Sequence, residues 1–260
     1  MDVDFCFRYD EPFVCTAIHN GNGMSRLAKS NLGITEEIRF REEDPKTEFF
    51  ADICYNKIIN YRSRFECDLN RPREKAVYMN PEDAWGLKVR KEVPGKEQIN
   101  TAYNFYDTYY RRVKSFYDEM QQTFGSFFVY DIHSYNHHRL GSDAPFDDPI
   151  QNPEIILGTT NMDAIWQPLI DKIEKKMNEY DFNGRSIDVR QNVKFTGGHF
   201  SRWTHSNYGK SACSVAIEFK KIFMDEWTGE FFPDIMQKLR EILASTKPLI
   251  LDHVLEMNKQ

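Results

Sequence analysis

Residues 126–133 read SFFVYDIH, and residues 12–19 read PFVCTAIH. Each is a nearly continuous apolar run that closes on a histidine. A strand with one face in water alternates apolar and polar side chains, so runs like these belong to strands covered on both faces. Helices must then lie on both sides of the sheet. RFECDLN (64–70) and SACSVAIEF (211–219) are read as two further strands. The segments between them carry helical spacing. Tyr106, Tyr110, Val113, Tyr117 and Met120 recur on one face before Gly125, and Ile165, Leu169, Ile173 and Met177 stand four apart. FFPDIMQKLREILAS (231–245) forms a third helical pattern. Strands alternating with helices predict an α/β fold: a mixed, mainly parallel sheet with helices on both faces. No repeat, low-complexity tract or linker divides the 260 residues, so a single domain over 1–260 is expected.

Composition excludes several classes of function. The formal net charge of −6 argues against a nucleic-acid surface, which needs a basic excess. No apolar run approaches the roughly 18 residues of a membrane span. The N-terminal MDVDFCFRYD is acidic and lacks a secretory pattern. Five cysteines, an odd number without CxxC spacing, suit reduced thiols in a cytoplasmic protein. Four of them, Cys15, Cys54, Cys67 and Cys213, sit in apolar surroundings and are expected to act as small core residues.

In a parallel sheet the ligand site lies beyond the carboxyl ends of the strands, so the strand ends carry the functional reading. The first run ends in His19 and continues NGNG, whose glycines permit a sharp turn and a close approach to a ligand. The run at 126–133 ends in Asp131-x-His133. The run at 211–219 carries Glu218, a carboxylate in an apolar setting that needs a partner. Two imidazoles and a carboxylate at one sheet edge suggest a catalytic zinc site with three protein ligands and an open position. An oxygen ligand would come from RFREEDP, which offers Glu42, Glu43 and Asp44 just before the stiffening Pro45. In DLNRP (68–72), the planar fork of Arg71 suits a carboxylate and Asn70 can donate beside it. Arg64 and Arg73 lie close enough in sequence to play the same part.

Taken together, IHNGNG, REEDP, SRFECDLNRP, YDIHSY, ILGT and GGHFSRW…VAIEF follow the order of motifs in the N-formylglutamate amidohydrolase family, and the chain resembles that family over roughly residues 12–220. The family groups with the zinc carboxypeptidases and the aspartoacylase-like deacylases, so the resemblance implies a zinc-carboxypeptidase-like fold. One position departs from the carboxypeptidase pattern: where those enzymes carry a glutamate three residues after the first histidine, this chain has Asn22. The resemblance instead places an acidic ligand in the segment similar to EEDP, with Asp44 preferred and Glu43 second.

What the resemblance implies is one zinc per chain, held by His19, His133 and that acid, in a hydrolase of amino-acid metabolism. Its reaction would cleave the amide of an N-acyl amino acid, N-formyl-L-glutamate first among them. Glu218 would be the general base and acid, Asn70 and Arg71 would hold the substrate carboxylate, and Arg202 would be a second anchor. Asp131 reads as a residue that orients His133. His137, His138, His199 and His205 read as surface or rim residues. Two alternatives remain: a related carboxypeptidase or aspartoacylase-like deacylase with another substrate, and a non-catalytic binder of small carboxylates.

Overall fold

The computed structural model describes residues 2–259, so the two end residues of the expected 1–260 span lie outside it. Its strands are β1 (Val3–Cys6), β2 (Phe13–Ala17), β3 (Asn56–Asn60), β4 (Phe127–Tyr135), β5 (Ile155–Gly158), β6 (Val189–Gln191) and β7 (Ala212–Lys220). They form one seven-stranded sheet in the order β1-β3-β2-β4-β7-β5-β6. The pairs β2–β3, β2–β4, β4–β7 and β5–β6 are parallel, and β1–β3 and β5–β7 are antiparallel. The sheet is mixed and mainly parallel, as the apolar runs required. The central pair is registered with His133 opposite Glu218.

Helices α1 (Arg26–Ser30), α2 (Glu36–Glu42), α3 (Thr47–Ala51), α4 (Lys96–Phe124), α5 (Gln167–Asn178), α6 (His199–Tyr208) and α7 (Pro233–Met257) complete the fold. Alternation along the central strands divides the core in two. Phe13, Cys15, Phe128, Tyr130, Ile132, Val215 and Ile217 point to one face and pack with α3, α5 and α7. Val14, Phe127, Val129 and Ala212 point to the other and pack with α4 and Phe200 of α6. At roughly 1.5–3 kcal/mol for each large apolar side chain buried, the two layers hold the strand ends in place. The aromatic stripe of α4 is buried as its spacing predicts, whereas Ile165 lies outside α5 and is exposed. Cys15, Cys54, Cys67 and Cys213 are buried. No helix among the described residues is long and apolar enough to cross a membrane.

Residues 64–70 are not a strand. Phe65, Cys67 and Leu69 are buried, which gave the segment its alternating pattern, but its backbone closes turns instead of a ladder. The Glu66 and Cys67 N–H groups donate to Ser63 O, and Asp68 N–H donates to Ala76 O. The strand in this region is β3, five residues long with buried asparagines at both ends. The glycines of NGNG also have a different role from the expected ligand approach. Gly21 and Gly23 lie against the Tyr61 backbone, and Gly23 N–H donates to Tyr61 O at 2.9 Å. A side chain at Gly21 would overlap that backbone.

His205 is buried, contrary to the rim position expected for it. Its Nε2 accepts the Ser214 N–H at 2.9 Å, which requires a lone pair there. Burial pushes its pKa down to about 4. The unfolded chain binds this proton near pH 6.5 and the folded chain near pH 4, so acid favours unfolding across that window. Stability should fall between pH 6.5 and 4 by up to about 3 kcal/mol from this residue alone. Urea unfolding of wild type and His205→Gln at pH 7, 5 and 4 measures it; parallel losses in both proteins would remove His205 from the acid response.

Candidate metal centre

Three elements bring His19, Asp44 and His133 together. His19 follows β2, His133 lies within β4, and the chain between α2 and α3 delivers Asp44. That connection is tied down on both sides. Asp44 N–H donates to His19 O at 3.2 Å, and Thr47 Oγ1 donates to Asp44 O at 2.8 Å. Lys46 takes a left-handed φ of 66°, which reverses the chain into α3.

All three side chains are buried. Asp44 Oδ2 lies 3.1 Å from His133 Nδ1 and 3.4 Å from His19 Nδ1. Each ring turns its other nitrogen to a second carboxylate: His19 Nε2 is 2.7 Å from Asp68 Oδ1, and His133 Nε2 is 3.0 Å from Asp131 Oδ2. His19 Nε2 hydrogen-bonds Asp68, which leaves a lone pair inward on Nδ1, whereas His133 Nδ1 is the nitrogen within hydrogen-bond reach of a carboxylate, that of Asp44, and its Nε2 only faces Asp131. His19 Nδ1 has no hydrogen-bond partner in the protein. The His19 lone pair and the Asp44 carboxylate repel one another unless a cation joins them. Ligand atoms around a tetrahedral zinc stand roughly 3.3 Å apart, a value the two measured separations bracket. The donor set therefore fits a divalent metal, with an aspartate behind each histidine.

The two outer aspartates are themselves held. Asp131 Oδ1 accepts from Thr16 Oγ1 at 2.8 Å. Asp68 accepts from Asn70 N–H at 2.8 Å, from Arg64 Nη2 at 3.1 Å and from Tyr78 OH. Burial alone would raise the Asp68 and Asp44 pKa values. For Asp68 the charges of Arg64 and His19 and the hydrogen bonds outweigh it, and for Asp44 its two imidazole neighbours, His133 and His19, do. Both stay well below the usual carboxylate range.

Glu43 lies apart from the histidines. Its carboxylate accepts from Ser63 Oγ and pairs with Arg39 Nη1 at 3.3 Å. Burial raises its pKa to about 7.

The three residues stand in the wall of a cleft of about 380 Å³, which Glu218, Asn70, Arg71 and Arg202 also line. Glu218 is open to the cleft yet enclosed by protein, and burial lifts its pKa to about 8. His133 lowers it, and Asp44 and Asp131 add to the rise. Arg71 is partly exposed and donates from Nη2 to Asp83 O at 3.2 Å. Arg202 Nη1 donates to Gly197 O at 3.0 Å. Asn70 Oδ1 accepts the Phe200 N–H at 2.9 Å and so joins the start of α6 to the 68–71 turn. Its amide fills the space a side chain at Gly198 would occupy. Arg73 lies outside the cleft, paired with Asp107 on the surface.

Sequence reasoning missed several residues of the site. Asp68, which lies behind His19 and does not line the cleft, stands two residues before Asn70, and that position was a signal for it. Arg139, Lys194 and Lys221 carry no motif. With Arg64, Arg71 and Arg202 they make six cations around the cleft, against the carboxylates of Glu42, Asp44 and Glu218. A chain of net charge −6 thus concentrates positive charge at one place.

The family model of the N-formylglutamate amidohydrolases matches residues 11–224. Among solved structures, an N-formylglutamate amidohydrolase from Ralstonia eutropha JMP134 is similar with a TM-score of 0.72 at 17% identity, over 98% of this chain and 99% of that one. A gene product from Agrobacterium tumefaciens is similar with a TM-score of 0.65 at 16% identity, over 98% and 94% of the two chains. A carboxypeptidase A-like protein from Shewanella denitrificans OS-217 gives a TM-score of 0.36 at 12% identity, over 94% of this chain and 58% of that one. No curated protein matches the sequence.

Proposed function

The chain belongs to the N-formylglutamate amidohydrolase family, and from that premise we propose that it is a single-domain, zinc-dependent hydrolase of N-acyl amino acids, with N-formyl-L-glutamate as its substrate. The observation that carries the metal-dependent reading is the buried His19–Asp44–His133 set, with an aspartate behind each imidazole. The cationic cleft supports an anionic substrate. We place the enzyme in the cytoplasm, where its five free cysteines would remain reduced.

A zinc ion held by His19, Asp44 and His133 would supply Lewis-acid chemistry, polarising the scissile carbonyl and acidifying a water. Asp68 fixes the His19 ring and keeps its Nδ1 lone pair available, and Asp131 stands behind His133 at 3.0 Å from Nε2. Glu218, beside His133 across the β4–β7 ladder, takes a proton from the attacking water and returns it to the leaving nitrogen. Asn70, Arg71 and Arg202 hold substrate carboxylate, which fixes the distance from the scissile amide to the metal-binding set. Metal analysis of the purified protein, with hydrolysis of N-formyl, N-acetyl and N-succinyl amino acids, tests the reading. A metal-free protein that binds these compounds without turnover would leave a carboxylate-binding protein instead.

The Arg71 role has its own expected result. Lysine keeps the charge but loses the fork, so Arg71→Lys should raise KM and lower kcat, with kcat/KM falling about 10- to 100-fold. A substrate in which the bound carboxylate has become an amide should already be poor and lose little more. The four kcat/KM values form a double cycle. Independent effects would shift the anchor to Arg202.

A further inference from the structure

Helix α4 carries two hydroxyls that the reaction above leaves without a role. Tyr106 and Tyr110 stand four residues apart on its buried face, with ring centroids 4.6 Å apart. Tyr110 OH donates to Leu69 O at 2.6 Å, and Tyr106 OH donates to Arg71 O at 2.9 Å. Helix α6 meets the same turn with its first residues. His199 N–H donates to Asn70 O at 3.3 Å, and Phe200 N–H donates to Asn70 Oδ1 at 2.9 Å. The successive carbonyls of Leu69, Asn70 and Arg71 are thus held by two helices. Residues 64–70 form no strand, so these bonds give the backbone the support that a ladder would otherwise supply.

One further bond joins the two helices. Tyr106 OH lies 3.1 Å from His199 Nε2. The phenol has a single proton and gives it to Arg71 O, so the ring nitrogen is the donor in the second contact. His199 is therefore the Nε2–H tautomer. Burial and the nearby Arg202 push its pKa down, which keeps the ring neutral at pH 7, and burial pushes that of Tyr106 up. The donors run in one direction, from His199 to Tyr106 to the Arg71 carbonyl.

The Arg71 side chain has little other support. It is partly exposed, and its one hydrogen bond among the described residues goes from Nη2 to the neutral Asp83 O at 3.2 Å. Asp68 Oδ2 stands 3.8 Å from Nε, beyond hydrogen-bond range. A guanidinium held so lightly at its tip is aimed by its backbone, and Tyr106 holds that backbone.

We propose that Tyr106, set by His199, is a positioning residue: it fixes the Arg71 backbone so that the guanidinium fork meets the substrate carboxylate. This inference rests on the amidohydrolase reading, with Arg71 as an anchor, and adds residues of α4 and α6 that touch no substrate. Neither Tyr106 nor His199 lines the cleft, which separates them from the anchors themselves.

The test asks whether Tyr106 acts through Arg71. Tyr106→Phe keeps the ring and its stacking on Tyr110, so it should fold with wild-type zinc content. With N-formyl-L-glutamate its KM should rise about 3- to 10-fold, the range for one neutral hydrogen bond, while kcat falls less. In an Arg71→Ala background the same substitution should change kcat/KM by less than about twofold, because the group it positions is gone. His199→Gln keeps an N–H donor and should stay within about twofold of wild type, whereas His199→Leu should match Tyr106→Phe. Calorimetric Kd values in zinc-loaded Glu218→Gln protein give the same comparison without turnover. An unchanged KM in Tyr106→Phe, an equal rise with and without the Arg71 side chain, or equal losses in His199→Gln and His199→Leu overturns the proposal. If Tyr106→Phe loses zinc or stability, the two His199 variants decide, since they leave the tyrosine in place. A wild-type protein that neither binds nor hydrolyses N-formyl, N-acetyl or N-succinyl amino acids overturns the amidohydrolase reading itself. Wild-type turnover with Tyr106 uncoupled from Arg71 overturns this inference alone.

Discussion

Glu218→Gln is expected to fold, to keep its metal and to lose about 10²–10⁴-fold in kcat, the range for removal of a positioned general base. Glutamine has nearly the shape of glutamate, so the β4–β7 ladder and the packing around it should persist. It cannot accept a proton from the attacking water, nor hand one to the leaving nitrogen. The acidic residues nearby do not replace it: Asp44 is engaged with both histidines, and Asp131 and Asp68 lie behind them. Substrate affinity should change little, because the carboxylate anchors are elsewhere. Single-turnover kinetics with metal content and melting temperature measured in parallel separate these effects. A loss smaller than about tenfold conflicts with the base role. An unfolded variant would mark Glu218 as a structural partner in the sheet.

The parts of the fold legible in the sequence were those whose burial is extreme. β2, β4 and β7 are central strands covered on both faces, so their side chains are apolar almost without break, and α4 writes its buried stripe in aromatics. β1, β5 and β6 are three or four residues long and carry too few side chains for a period to register. β3 was hidden by its asparagines. Asn56 and Asn60 are buried because their amides donate to Glu11 O, Phe13 O, Ile18 O and Arg62 O, a role that no local pattern announces. At 64–70 alternation misled, since Phe65, Cys67 and Leu69 enter the core from turns.

The same division runs through the candidate site. His19, His133 and Glu218 lie at or near the ends of the legible strands, and the topology brings those ends together. Asp44 comes from a connection between two short helices, so its position depends on Thr47, Lys46 and the His19 carbonyl together. EEDP could be narrowed by resemblance but not by spacing. Lys221 was the least legible. A lysine just past a strand reads as solvated, and only the carbonyls of Arg41 and Glu43, far away in sequence, keep it inside.

His133→Ala and Asp44→Asn should each abolish stoichiometric zinc, and the reason lies in how little else holds these atoms together. Asp44 Oδ2 sits between two Nδ1 atoms, so each removed ligand takes away one of three donors and leaves the others facing one another. Asn in place of Asp44 keeps the shape but replaces a carboxylate by a neutral oxygen, a poorer ligand for a divalent ion. Glu43→Gln should retain the metal, since its carboxylate is turned to Ser63 and Arg39. Asp68→Asn and Asp131→Asn should bind zinc about 10- to 100-fold more weakly, because the imidazoles lose the carboxylates that orient them. Metal content after dialysis against buffered zinc ranks all five variants. Melting temperature gives a second readout: a metal at about 1,000 times its Kd stabilises the folded state by about 4 kcal/mol, and that gain should vanish with the ligands. A folded Asp44→Asn protein with full zinc, together with a metal-free Glu43→Gln protein, would transfer the third ligand to Glu43. Full zinc in folded His133→Ala would dismantle the site as described, since His133, within β4, would then face Asp44 for another reason.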